Sequence, residues 1–175
     1  MQNRDSRPVL TPTEKRHLRA AITDYCLRAE AHRDAWHYSQ ARPFTYGPPE
    51  GPAHADCSGY IGLVYRWAGQ HAGVTVADPL GGNWTGMGWT GSIEQWLRAH
   101  GHTVTTQGYL VGDIALYGPG GHAHTSDSHT IVCRAPGSAA TAWWSSNGRE
   151  AAPEPRRLHH YRTDLIGVWR HPALL

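Results

Sequence analysis

Apolar residues recur at helical spacing three times in the first hundred positions, and in short unbroken runs after that. Leu18, Ile22, Tyr25, Cys26 and Ala29 mark one face of a first helix, predicted to run to about Arg33. Its start is written in Thr11-Pro12-Thr13-Glu14: Thr11 can cap, Pro12 suits the first helical position, and Glu14 completes a capping box. Ile61, Val64, Tyr65 and Ala68 form a second helical face, beginning at Cys57 and ending before Gly69. Ser92 and Gln95 predict a capped third helix with Ile93, Trp96 and Leu97 inward, closed by Gly101. Residues 43–52 hold four prolines and two glycines and read as a loop, and residues 73–91, rich in Gly, Trp and Thr, read as a long surface loop.

The second half changes period. Residues 113–117, 130–133, 139–144 and 165–169 are short apolar runs separated by turn residues, and residues 159–162 could add an edge strand. Helices first and strands second predict an α+β domain, with N-terminal helices packed on a mostly antiparallel sheet. Residues 1–10 read as a flexible lead-in and residues 11–175 as one domain, without repeats or linkers.

Composition narrows the function classes. Of 175 residues, 39% are hydrophobic and 17% charged, which is a globular balance. A net charge of +2 with neutral histidines gives no nucleic-acid signature, and the 13 histidines would make the chain more basic in mild acid, favouring an anionic polymer such as a cell wall. No run of about 18 apolar residues exists, so no membrane span is expected. The polar stretch 1–10 has no signal-peptide core, so synthesis in the cytoplasm is expected, with something else carrying or releasing the protein to its place of action. Three cysteines are too few for a disulfide framework.

Those cysteines differ in context. Cys26 lies on an apolar helical stripe and reads as a packed thiol. Cys57, in His54-Ala55-Asp56-Cys57-Ser58-Gly59-Tyr60, follows a Pro/Gly loop and opens a helix. A helix N-terminus favours the thiolate, the small neighbours leave room for a substrate, and backbone N–H groups there can form an oxyanion hole. Cys57 is therefore the expected nucleophile of a cysteine hydrolase. Such an enzyme needs a base and a group to orient it. His129, at the head of the 130–133 run, is the expected base, and Asn147, after the run ending at Trp144, can accept the imidazole N–H.

With these residues in view, the chain resembles the NlpC/P60 family of cell-wall cysteine peptidases. The matching pieces are Phe44-Thr45-Tyr46-Gly47, Asp56-Cys57-Ser58-Gly59-Tyr60-Ile61 with its helix to Trp67, Gly112-Asp113-Ile114-Ala115-Leu116-Tyr117, and His129-Thr130-Ile131-Val132, in the family's order over roughly residues 15–170. The resemblance implies a papain-like fold and hydrolysis of an amide bond in peptidoglycan stem peptides, commonly between γ-D-Glu and a diamino acid. It implies Cys57 as nucleophile, His129 as base and Asn147 in the third position. It implies Tyr46 at the oxyanion or substrate, and Asp56 and Ser58 on the amine and backbone of the stem peptide. Members without a secretion signal are often bacteriophage proteins, endolysins or tail-associated enzymes, so phage tail proteins are possible partners. No cofactor or metal is implied. The sequence departs from the pattern in the proline-rich 46–57 loop and the long His-rich turn 118–128.

Two other readings compete. His122, His124, Asp127 and His129 could form a zinc hydrolase site; the run loosely resembles a metallo-hydrolase motif but departs from its spacing, in which Asp and His are adjacent. A non-enzymatic virion or wall-binding module could instead stack sugars on Trp84 and Trp89, with Trp67, Trp96 and Trp169 in the core.

Overall fold

A computed structural model describes residues 9–105, 108–136, 138–142, 153–156 and 162–175. The first helix, α1 (Pro12–Ala31), begins with the expected capping box: the Thr11 hydroxyl accepts the Glu14 N–H, and the Glu14 carboxylate accepts the Thr11 N–H. Leu18, Ile22, Tyr25, Cys26 and Ala29 are all buried against the next helix, α2 (Cys57–Ala72). A short parallel ribbon, β1 (Trp36–His37) with β2 (Ala53–His54), lies between them and brings the chain to the start of α2.

Helix α2 does not stop before Gly69. It runs to Ala72, where Gly73 takes the left-handed conformation that ends it. Gly69 serves packing instead: a Cβ there would lie 2.9 Å from Val76 Cγ2. The third helix, α3 (Thr90–His100), starts two residues before the predicted cap, because Ser92 takes the third helical position and its hydroxyl accepts the Trp89 N–H. The loop between α2 and α3 is not a surface loop throughout. Val76, Asp78 and Leu80 are buried, and the Asp78 carboxylate gathers the N–H groups of Leu80, Gly82 and Trp84.

The sheet contains β3 (His102–Thr103), β4 (Ile114–Tyr117), β5 (His129–Ala135), β6 (Ser138–Ala142), β7 (Pro153–Arg156) and β8 (Leu165–Arg170). Its order is β3-β8-β4-β5-β6-β7, and among the described residues every pairing in it is antiparallel. The molecule is thus an α+β fold with N-terminal helices on an antiparallel sheet. Of the edge strand expected at 159–162, only Arg162 lies within the described residues, and it is not in a strand. Asp113, fully buried, accepts two bonds from Arg170 at 2.8 Å each and so ties the start of β4 to β8. Trp67 and Trp169 are buried as expected, whereas Trp96 is half-buried and stacks on His171. No helix among the described residues is long and apolar enough to cross a membrane.

Candidate active site

A cleft of about 1030 Å³ opens where the start of α2, the start of α3 and the His-rich turn before β5 converge. Cys57, Asp56, Tyr38, Arg42, Trp89, Thr90, His124, Asp127, His129 and Arg162 are among its lining residues. Cys57 and His129 therefore share one cavity, although 72 positions separate them in the chain.

Cys57 is the first residue of α2, and Asp56 is its N-cap. Asp56 Oδ1 accepts the Gly59 N–H at 2.7 Å and the Ser58 hydroxyl at 2.8 Å, while Oδ2 accepts Arg42 Nη2 at 2.7 Å. This carboxylate is already used: it caps the helix and pairs with a guanidinium. Ser58 is fully buried and also accepts from Arg42, so it faces the protein and not the cleft. Of the two residues expected on the amine and backbone of a stem peptide, Ser58 does not line the cleft, and Asp56 reaches it paired with Arg42.

The electrostatics at Cys57 also differ from expectation. Helix position favours a thiolate, but burial pushes the thiol up to about 12, and the adjacent Asp56 charge adds to the rise. Hydrogen bonds from the Thr130 N–H, the Thr90 hydroxyl and the Ser58 N–H act in the opposite sense without reversing it. The Thr90 hydroxyl lies 3.7 Å from the sulfur. The resting thiol is therefore neutral, and a thiolate forms only if a nearby base takes its proton.

His129 begins β5 and is buried. Thr141 on β6 lies 3.0 Å from His129 Nε2 and donates its hydroxyl proton to the Thr130 carbonyl at 2.9 Å. With that proton committed, the Thr141 oxygen accepts the Nε2–H, which makes Nδ1 the basic nitrogen of the neutral ring. The β5–β6 register explains the meeting: pairing Val132 with Ala140 sets Thr141 opposite Ile131 and diagonal to His129 on the same face. Asn147, expected to orient the ring, lies outside the described residues.

Tyr46 is placed elsewhere. It lines a second, smaller pocket of about 290 Å³ with Arg66 and Trp67, and Trp84 meets it edge-on at 5.9 Å. Neither Tyr46 nor Trp84 lines the Cys57 cleft; of the two tryptophans expected in a groove, Trp89 does, with 63% of its surface exposed. A tyrosine that does line the cleft is Tyr38, whose hydroxyl accepts from Gln40 at 2.9 Å and whose pKa is raised by burial, with the Asp56 charge acting in the same sense. Tyr38, Arg42 and Thr141 were not singled out from the sequence. Thr141 carried a usable signal, a hydroxyl inside an apolar strand run; Tyr38 and Arg42 sit in irregular segments where no periodicity points.

The four residues of the alternative zinc reading do not converge. His129 faces Thr141, while among the described residues the metal-capable group is Glu94, His122 and His124, without Asp127 or His129.

No protein-family model matches the chain, and no curated protein matches it. Among solved structures it is similar to NlpC2 and NlpC1 of Trichomonas vaginalis, each 16% identical with a TM-score of 0.49, over 86% of this chain and 46% and 44% of theirs. It is also similar to a Staphylococcus aureus protein described as similar to lipoprotein, NLP/P60 family, at 15% identity and a TM-score of 0.48, over 97% of this chain and 45% of that one. The chain thus spans less than half the length of each of these proteins, and at such identities and scores no activity passes from them to it.

Proposed function

We propose that this chain is a cysteine hydrolase that cleaves an amide bond in the stem peptides of bacterial peptidoglycan. The observation that carries the reading is the joint placement of Cys57 and His129 in one cleft, with the imidazole Nε2 held by Thr141. His129 Nδ1 takes the Cys57 proton as the sulfur attacks the scissile carbonyl, so the charge is created during reaction and not stored in a resting ion pair. The Cys57 backbone N–H, unpaired by helix geometry, and the Tyr38 hydroxyl stabilise the oxyanion. Imidazolium then protonates the leaving amine, and water activated by His129 hydrolyses the thioester and restores the thiol. Asn147 joins this proposal as an additional support for the imidazole.

The choice of peptidoglycan, of a γ-D-Glu–diamino acid bond, and of a phage lysin or virion role rests on the sequence resemblance. The test is mass spectrometry of defined muropeptides after incubation with the wild type, Cys57→Ala and His129→Ala. A single new amine and carboxyl terminus, produced by the wild type and by neither variant, is the expected result. Identical fragments from Cys57→Ala would remove the cysteine mechanism.

A second reading, a wall-binding module, draws on the exposed Trp89 at the cleft rim and the neutral, buried thiol. It predicts that wild type and Cys57→Ala co-sediment with walls equally and that neither releases fragments.

A further inference from the structure

We propose that Glu94, His122 and His124 form a binding site for a divalent transition-metal ion, zinc first, beside the Cys57 cleft, which His124 also lines. The three residues each offer a ligand atom, and these atoms all lie within 4.8 Å of one another. A tetrahedral zinc ion with bonds of about 2.0–2.1 Å needs its ligands about 3.3 Å apart. Rotation of two exposed imidazoles covers that difference.

The carboxylate is the fixed part of the site. Glu94 is 1% exposed on α3, and its Oε1 accepts Arg98 Nε at 2.8 Å and Nη2 at 2.6 Å. Its Oε2 accepts the Ala123 N–H at 2.6 Å and lies 3.6 Å from His124 Nε2. Hydrogen bonds to a ligating carboxylate orient it for a metal, and here they aim Oε2 at the turn that carries the histidines. Arg98 is the nearest opposing charge; its side chain is half exposed, so solvent screens it.

The imidazoles are the adjustable part. The backbone at His122 is extended, so side chains at 122 and 124 fall on one side and Ala123, which is buried, on the other. The two rings lie 6.1 Å apart and 24° from parallel. Gly91 makes room for the second: a Cβ there would lie 2.7 Å from His124 Nδ1. Three donors of zinc-binding type thus come from two elements, with the neutral-nitrogen and carboxylate chemistry zinc prefers.

Occupancy would tie the His-rich turn to α3. Thr90, Gly91, Ala123 and His124 all line the cleft, so the ion fixes one wall of it. The site is independent of any hydrolase chemistry, and its test needs no substrate.

The experiment uses the full, tag-free chain carrying Cys57→Ala, which removes a thiol that could itself bind zinc. Zinc is titrated calorimetrically, and cobalt(II) is followed by its visible ligand-field absorption. One ion per chain is expected, with affinity reduced at least about tenfold in His122→Ala and in His124→Ala. His100→Ala, an exposed histidine at the end of the same helix, keeps wild-type affinity. Both test histidines are exposed, so thermal melts of the variants should match the parent. Absence of stoichiometric binding, or unchanged affinity in both histidine variants, would overturn the site.

Discussion

Asp56 joins the helix that carries the candidate nucleophile to the rest of the cleft, and its replacement separates two contributions. Its Oδ1 caps α2 through the Gly59 N–H, and its Oδ2 pairs with Arg42, both side chains being only 11% exposed. Asp56→Asn keeps an acceptor for the cap and removes the charge. Asp56→Ala removes both. Loss of an N-cap costs about 1 kcal/mol. Leaving a buried partner charge unpaired costs about 3–5 kcal/mol, and the lower end applies because Arg42 keeps the Gly88 and Ala41 carbonyls and the Ser58 hydroxyl as acceptors. Asp56→Ala should therefore lose about 4 kcal/mol and Asp56→Asn about 3 kcal/mol. Equilibrium unfolding in urea reads both, and the cycle with Arg42→Met isolates the pair: the double variant Asp56→Asn/Arg42→Met should be more stable than the summed single losses predict by about 1–3 kcal/mol. A second readout is chemical. Because the Asp56 charge raises the Cys57 pKa, Asp56→Asn should shift the pH–rate profile of thiol alkylation to lower pH. Additive losses within about 0.5 kcal/mol, together with an unmoved alkylation profile, would refute the account of Asp56 as both anchor and electrostatic brake.

Two further outcomes follow from the site and core. Thr141→Val removes the acceptor for His129 Nε2–H and should lower kcat on muropeptides about tenfold or more with little change in KM, while Thr141→Ser keeps most of the rate; equal rates in Val and Ser variants would show that the hydroxyl does not orient the ring. Burial raises Cys26 and Cys57 to about 12 and Cys133 to about 11, above the value near 8.5 of an unfolded thiol. The raised thiols contribute nothing pH-dependent below about pH 8.5; above it the unfolded chain releases protons that the fold retains, so stability falls by about 1.4 kcal/mol per pH unit per thiol until the folded values are reached. Melting temperatures should decline between pH 8.5 and 9.5, before unfolded-state tyrosines join, and Cys26→Ala should flatten about a third of the slope; a level profile would contradict the burial of these groups.

Local chemistry wrote much of this molecule directly into its sequence. The Thr11–Glu14 capping box, the apolar stripe through Leu18, Ile22 and Tyr25, the start of α2 at Cys57 and the runs 113–117, 130–133 and 165–169, which mark β4, β5 and β8, were legible because capping, period and β-propensity act within a few residues. The α+β class followed from their order. What required the tertiary structure was each contact set by register or burial. Strand pairing decided that Thr141 meets His129, since sequence alone cannot slide β6 against β5. Burial decided that Cys57 rests as a thiol, because desolvation outweighs the helix terminus that its position advertised. Chain folding outside the regular elements moved Tyr46 and Trp84 away from the cleft, brought Tyr38 and Arg42 into it, and joined Glu94 to two histidines about thirty positions away. Periodicity is a nearest-neighbour property and reads from one dimension; a site is a set of distances across the chain, which only packing fixes.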